Sequence, residues 1–151
     1  MKKKDFVWGV ATAATQIEGA AYQDGKSATV WDVMSEDGGY IANNHKVCNA
    51  DDSYNRFDED LKLLKELGVN AYRFSLSWAR IIKDGDGEIN QEGLDHYSKM
   101  IDKLLEANIE PFITLFHWDL PYALYKKGGW LNRDITQAFK KYVEAVVDAF
   151  G

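Results

Sequence analysis

The sequence predicts an α/β fold built on a parallel sheet, and two observations carry that prediction. Three times a short apolar or alternating run gives way to apolar residues spaced by threes and fours. Turn-rich stretches such as KDGDGE at 83–88 stand between the runs, and no low-complexity tract or close repeat offers another architecture. Strand–helix alternation of this kind is the pattern of βαβ units, whose right-handed crossovers place the helices outside the sheet.

The first unit opens with FVWGVAT at 6–12, read as a strand, and a loop rich in Gly and Asn is expected over 15–51. Tyr54, Phe57, Leu61, Leu64 and Leu67 then mark an amphipathic helix over 53–67. Gly68 follows, where a left-handed C-terminal cap favours glycine. In the second unit, NAYRFSLS at 70–77, Tyr72, Phe74 and Leu76 alternate with Ala71, Arg73 and Ser75. One face is therefore apolar and the other small or charged. Asn90 is the expected N-cap of a helix carrying Leu94, Tyr97, Ile101, Leu104 and Leu105 and ending near Asn108. The third strand is EPFITLF at 110–116, since a proline is tolerated where a strand begins. Ile113 and Leu115 share a period-two face with His117, and that face is read as the inward one. A loop runs to Asn132, the expected cap of a last helix with Ile135, Phe139, Tyr142, Val143, Val146 and Phe150 on its stripe.

Three such units do not close a structure. A (β/α)₈ barrel takes about 250 residues, against 151 here, and three parallel strands leave two open edges and one uncovered face. The expectation is a part of a larger fold. Composition narrows the function. A formal net charge of −6 argues against a nucleic-acid partner, which would need a basic face. The one basic cluster, Lys2-Lys3-Lys4, reads as a solvated tail. No apolar run is long enough for a signal peptide or a membrane span. A lone cysteine, Cys48, forms no intramolecular disulfide and fits a reducing cytoplasm. His45, His96 and His117 have no metal-ligand spacing.

Several segments carry a family resemblance. FVWGVATAATQIEGA at 6–20 is followed by Trp31-Asp32, then by Asp52, Tyr54 and Arg56, and then by ELGVNAYRFSLSWARI at 66–81. GLDHYSKMIDKLL, IEPFITLFHWDLP and GGWLNRD complete the series. In this order the chain resembles the N-terminal third of glycoside hydrolase family 1, the β-glucosidase family. The resemblance implies that residues 1–151 are the N-terminal portion of a single (β/α)₈ barrel domain, its first three βα units, with a sugar pocket at the C-terminal ends of the strands. Thr15, where the family often has an aromatic residue, and Ser53 and Asn55, where it often has histidine, are departures that bear on loop packing.

Gln16, His117 and Trp118 all lie just past predicted strand ends, the active face of such barrels. An amide offers donor and acceptor to a vicinal diol, while imidazole and indole can each donate to a hydroxyl. A histidine beside a tryptophan is ordinarily core, but here Asp119 and Pro121 place the pair in a loop. The resemblance implies that these three contact the innermost sugar. It also implies that Arg73 pairs with the nucleophilic glutamate. Trp78 and Arg80 are read as scaffold, and Glu18, Asp51, Asp52 and Asp58 as capping, turn or surface acids.

Retaining hydrolysis needs two carboxyl groups about 5–5.5 Å apart. The family carries them in Asn-Glu-Pro and Glu-Asn-Gly motifs, and neither occurs here. Asn108-Ile109-Glu110-Pro111 imitates the first, but it opens a strand, which would put Glu110 at the far end of the barrel. The expectation is the N-terminal segment of a retaining β-glucosidase, inactive alone, acting on terminal β-D-glucosyl residues with no metal or organic cofactor. Its partners would be a β-glucoside and the remainder of the barrel. The alternatives are a non-catalytic truncated product, or one part of a barrel assembled from several chains. A 6-phospho-β-glucosidase is disfavoured, because HWDLP replaces the Phe-Glu-Met that tends to follow the histidine in that branch.

Overall fold

The computed structural model describes residues 6–151, so the Lys2-Lys3-Lys4 cluster lies outside it. In chain order the elements are β1 (Gly9–Ala11), α1 (Ala14–Ile17), α2 (Val30–Asp37), α3 (Ser53–Leu67), β2 (Ala71–Ser75), α4 (Trp78–Ile81), α5 (Gln91–Glu106), β3 (Glu110–Thr114), α6 (Tyr122–Lys126) and α7 (Ile135–Phe150). The strands form one parallel sheet in the order β1-β2-β3. The first is shorter than the 6–12 run suggested, and Phe6, Val7 and Trp8 are exposed.

The long helices behave as their periodicity demands. Phe57, Leu61 and Leu64 of α3, Leu94, Tyr97 and Leu104 of α5, and Ile135, Tyr142 and Val146 of α7 join Tyr72, Phe74 and Leu76 in one core. Gly68 ends α3 in the left-handed conformation (φ 68°). Leu67 and Leu105, at the trailing edges of their stripes, stay exposed. Asn90 occupies the N-cap position of α5, but its side-chain amide donates to the carbonyls of Asp24 and Arg80 instead. The last helix is capped two residues later than expected: Asp134 takes that position, and its N–H donates to Asn132 Oδ1.

Register corrects the reading of β3. Phe74 lies opposite Ile113 and Arg73 opposite Phe112, and laterally paired residues of adjacent strands point to the same face. Ile113 and Leu115 therefore pack with the helices, while Phe112 and Thr114 share the uncovered face with Arg73. His117 does not continue that pleat, because β3 ends at Thr114 and Trp118 is left-handed (φ 73°). FITLF is apolar in both registers, so alternation could not say which face was inward.

Two stretches expected as loops carry structure. The stretch 15–51 holds all but the first residue of α1 and the whole of α2, and the later loop contains α6 and a 3₁₀ turn at Gly129–Leu131. A capping box starts α2: Thr29 Oγ1 accepts from the Asp32 N–H, and the Asp32 carboxylate accepts from the Thr29 N–H. Lys26 reaches the same carboxylate at 2.6 Å, with both side chains almost wholly buried.

Candidate functional site

Two loops meet at the C-terminal ends of the strands. The amide of Val30 donates to the Leu120 carbonyl at 2.9 Å and that of Tyr122 to the Ala28 carbonyl at 2.8 Å. Trp31 Nε1 donates to the Trp118 carbonyl at 3.1 Å. The loop after β1 is thus fastened to the loop after β3. On the other side, the Ala14 N–H donates to Ser75 Oγ at 2.8 Å, which pins α1 to the end of β2.

Between these parts lies a cleft of about 560 Å³ whose lining includes Gln16, Trp31, Lys46, Val47, His117 and Trp118. All three predicted sugar contacts, Gln16, His117 and Trp118, come together there. None of their side-chain polar groups forms a hydrogen bond among the described residues. Arg73 does not line the cleft. It is exposed on the uncovered sheet face, where its Nε donates to Thr114 Oγ1 at 2.8 Å. Glu110 begins β3 and so stands at the opposite end of that strand from His117.

A second cleft of about 590 Å³ adjoins the first and is lined mainly by apolar and aromatic groups, among them Met34, Phe116, Tyr122, Tyr125 and Trp130. Trp118, 73% exposed, belongs to both clefts.

Beneath the site runs a buried polar chain that extends the reading of Glu18 as a capping, turn or surface acid: it holds the C-cap position of α1, but it is not a surface residue. Glu18 is buried, pairs with Arg80 Nε at 3.2 Å and accepts a hydrogen bond from the Tyr97 hydroxyl. Tyr97 in turn accepts from the Ser77 N–H at 2.9 Å. Arg80 is a scaffold residue, as read, fully buried with its guanidinium 3.9 Å over the ring of Tyr54. Tyr54 also stacks on His96 at 3.9 Å between centroids. Burial, reinforced by the Arg80 charge, pushes His96 down to about 4. Asp119 is the second displaced group: burial pushes its carboxyl up to about 7.

Sequence reasoning missed Lys46 as a cleft residue. Its ammonium donates to the Ser35 and Glu36 carbonyls near the C-terminal end of α2, a favourable place for a cation. A lone lysine in a polar loop carries no spacing signal that could have identified it.

Residues 2–151 match the sequence profile of glycosyl hydrolase family 1. The chain is 51% identical over 148 residues to β-glucosidase A of Acetivibrio thermocellus, covering 98% of this chain and 33% of that protein. It superposes on the β-glucosidase from Thermotoga maritima in complex with castanospermine with a TM-score of 0.95 at 48% identity, covering 97% of this chain and 33% of the other. The virulence factor SghA from Agrobacterium tumefaciens gives a TM-score of 0.91 at 46% identity, with 94% and 32% covered. The three βα units are thus part of the (β/α)₈ barrel of these enzymes. The chain, about a third of the length of the relatives it matches, belongs to glycosyl hydrolase family 1.

Proposed function

We propose that residues 1–151 form the N-terminal portion of a single barrel domain in a retaining β-glucosidase that removes terminal, non-reducing β-D-glucosyl residues. The observation that carries this is the meeting of Gln16, His117 and Trp118 in one cleft with their polar groups uncommitted. An amide, an imidazole and an indole N–H can together satisfy several hydroxyls of one sugar. Relatives solved with castanospermine and glucoimidazole support a ligand of sugar size.

The two carboxyl groups of the reaction come from the remainder of the barrel, since the sequence holds neither Asn-Glu-Pro nor Glu-Asn-Gly. Arg73, held on this chain by the neutral Thr114 hydroxyl, is the cation that keeps the incoming nucleophile ionised. Two carboxyl groups suffice for this chemistry, so no cofactor is part of the reading. The compartment is a reducing cytoplasm, supported by the lone Cys48. The uncovered face with Arg73 and Phe112 also suits a remainder supplied as a separate chain.

Incubated alone with an aryl β-glucoside, the chain should release no aglycone above background; titratable turnover would refute this division of labour. In a complete barrel, Gln16→Ala or His117→Ala should lower kcat/KM by about tenfold or more, equivalent to about 1.4 kcal/mol in the barrier. An unchanged kcat/KM would remove that residue from the subsite.

A further inference from the structure

Trp118 is left-handed (φ 73°), a conformation that a bulky side chain keeps only when its surroundings impose it. Packing of its own ring does not impose it, because the side chain is largely exposed. Hydrogen bonds within its own loop do not impose it either. Among the described residues the backbone of Trp118 forms a single hydrogen bond, and its donor stands 87 positions away. That donor is Trp31 Nε1, 3.1 Å from the Trp118 carbonyl oxygen.

Trp31 is itself firmly held. It sits half-buried in the first turn of α2, between two anchored neighbours. On one side the Val30 amide donates to the Leu120 carbonyl at 2.9 Å, beside an antiparallel bridge between Thr29 and Pro121. On the other, Asp32 is buried, closes the capping box with Thr29 and pairs with Lys26 at 2.6 Å. The indole therefore projects from a fixed backbone, as a group that must restrain another loop requires.

We propose that Trp31 is a positioning residue for Trp118. Its indole N–H holds the Trp118 carbonyl, and that hydrogen bond keeps residue 118 left-handed, with its ring on the wall shared by the two clefts. An indole has one polar atom, a donor. Trp31 commits that donor to the backbone of Trp118 and so lines its cleft with an apolar ring alone. The indole N–H left for a ligand is that of Trp118. The sugar-binding role of Trp118 rests on the glycosidase reading above; the hold on its backbone does not.

Residue 118 can be observed selectively. Only two tryptophans in the sequence precede an aspartate, in Trp31-Asp32 and Trp118-Asp119. With ¹³C,¹⁵N-tryptophan and ¹⁵N-aspartate, the 151-residue chain gives two carbonyl-to-amide NMR correlations of that kind, and Trp31→Phe leaves only the second. The reading is the cross-relaxation between the Trp118 amide proton and its own Hα, which is strong at positive φ and weak at negative φ. Phenylalanine keeps an apolar ring and removes the donor, so this cross-peak should weaken in Trp31→Phe. The Tyr122 amide, which donates to Ala28 across the same two loops, should keep its protection from hydrogen exchange. An unchanged cross-peak would overturn the proposal. So would loss of the Tyr122 protection, which would make Trp31 a fastener of whole loops. Should Trp31→Phe fail to fold by far-ultraviolet circular dichroism, β-(3-benzothienyl)alanine at position 31 decides, since it keeps both rings and replaces the N–H with sulfur.

In a complete barrel, Trp31→Phe should lower kcat/KM by about threefold or more, the order of one neutral hydrogen bond. In a Trp118→Phe background it should lower it no further, because its effect passes through that residue. An unchanged kcat/KM, or a loss that persists in that background, would overturn the positioning role. The cross-peak involves no sugar, so it decides the hold on Trp118 even where the Gln16 and His117 kinetics refute the glycosidase reading.

Discussion

Arg80 Nε lies 3.2 Å from Glu18 Oε2 in the protein interior, joining the scaffold that follows β2 to the loop that follows β1. The guanidinium is fully buried and also donates to the Ala20 carbonyl at 3.3 Å. Removing either partner strands the other charge, which costs about 3–5 kcal/mol. Arg80→Met and Glu18→Leu should each lower stability by that order in urea unfolding. The double variant should lose much less than the sum of the two, and strict additivity would show that the charges are not coupled.

Half-buried His96 and buried Asp119 should tilt stability in opposite directions with pH. His96 has a folded pKa near 4, below its ordinary 6.5. The unfolded chain therefore takes up the proton first, and the stability present above pH 6.5 is lost as pH falls toward 4. Asp119, raised from 3.8 to about 7, does the reverse: its neutral form stabilises fully below about pH 4, and that contribution is lost as pH rises through 7. Asp119→Asn should gain stability over the parent at pH 8 and little at pH 4. His96→Gln should flatten the acid limb. Thermal melts across pH 4–8 measure both effects, each on the order of 2 kcal/mol.

Helix propensity predicts that Gly93→Ala in α5 should stabilise by about 1 kcal/mol. Close approach predicts the opposite, because a Cβ there would sit 2.2 Å from the Arg80 carbonyl oxygen. Backbone oxygen cannot yield as a side-chain tip can, so the clash should win and cost about 2 kcal/mol or more. Gly68→Ala should cost about 1 kcal/mol for a different reason, its positive φ, since nothing lies within 4 Å of its would-be Cβ. Urea midpoints distinguish the two cases.

Thr29 closes the capping box of α2, and its loss leaves first-turn donors without a partner. Thr29→Ala should cost about 1 kcal/mol. Asp32→Ala should cost more, because it also strands the buried Lys26 ammonium. Amide hydrogen exchange should show faster opening over 30–37 in both variants; protection unchanged there would mean that the box contributes nothing to α2.

The helices 53–67, 91–106 and 135–150 were legible in the sequence because each presents a stripe several turns long. The eight-residue α2 was not. Its stripe of Val30, Val33 and Met34 spans little more than a turn, and the neighbouring glycines and asparagines mask it. The Thr29-x-x-Asp32 box was the one local signal available. Glu18 was misread because a carboxylate's fate depends on a cation 62 positions away, which no local pattern reveals. Gln16, His117 and Trp118 could be named from motifs, but their convergence depends on the two loops being fastened together. Lys46 enters the cleft only through α2, an element that sequence periodicity did not announce.

Trp118 is the one residue, among the described ones, that lines both clefts of about 560 and 590 Å³. A change of side chain at that position therefore alters the wall of the cleft that holds Gln16 and His117 and the wall of its aromatic neighbour together. Its positive φ adds a second constraint, because a replacement must also accept the left-handed backbone.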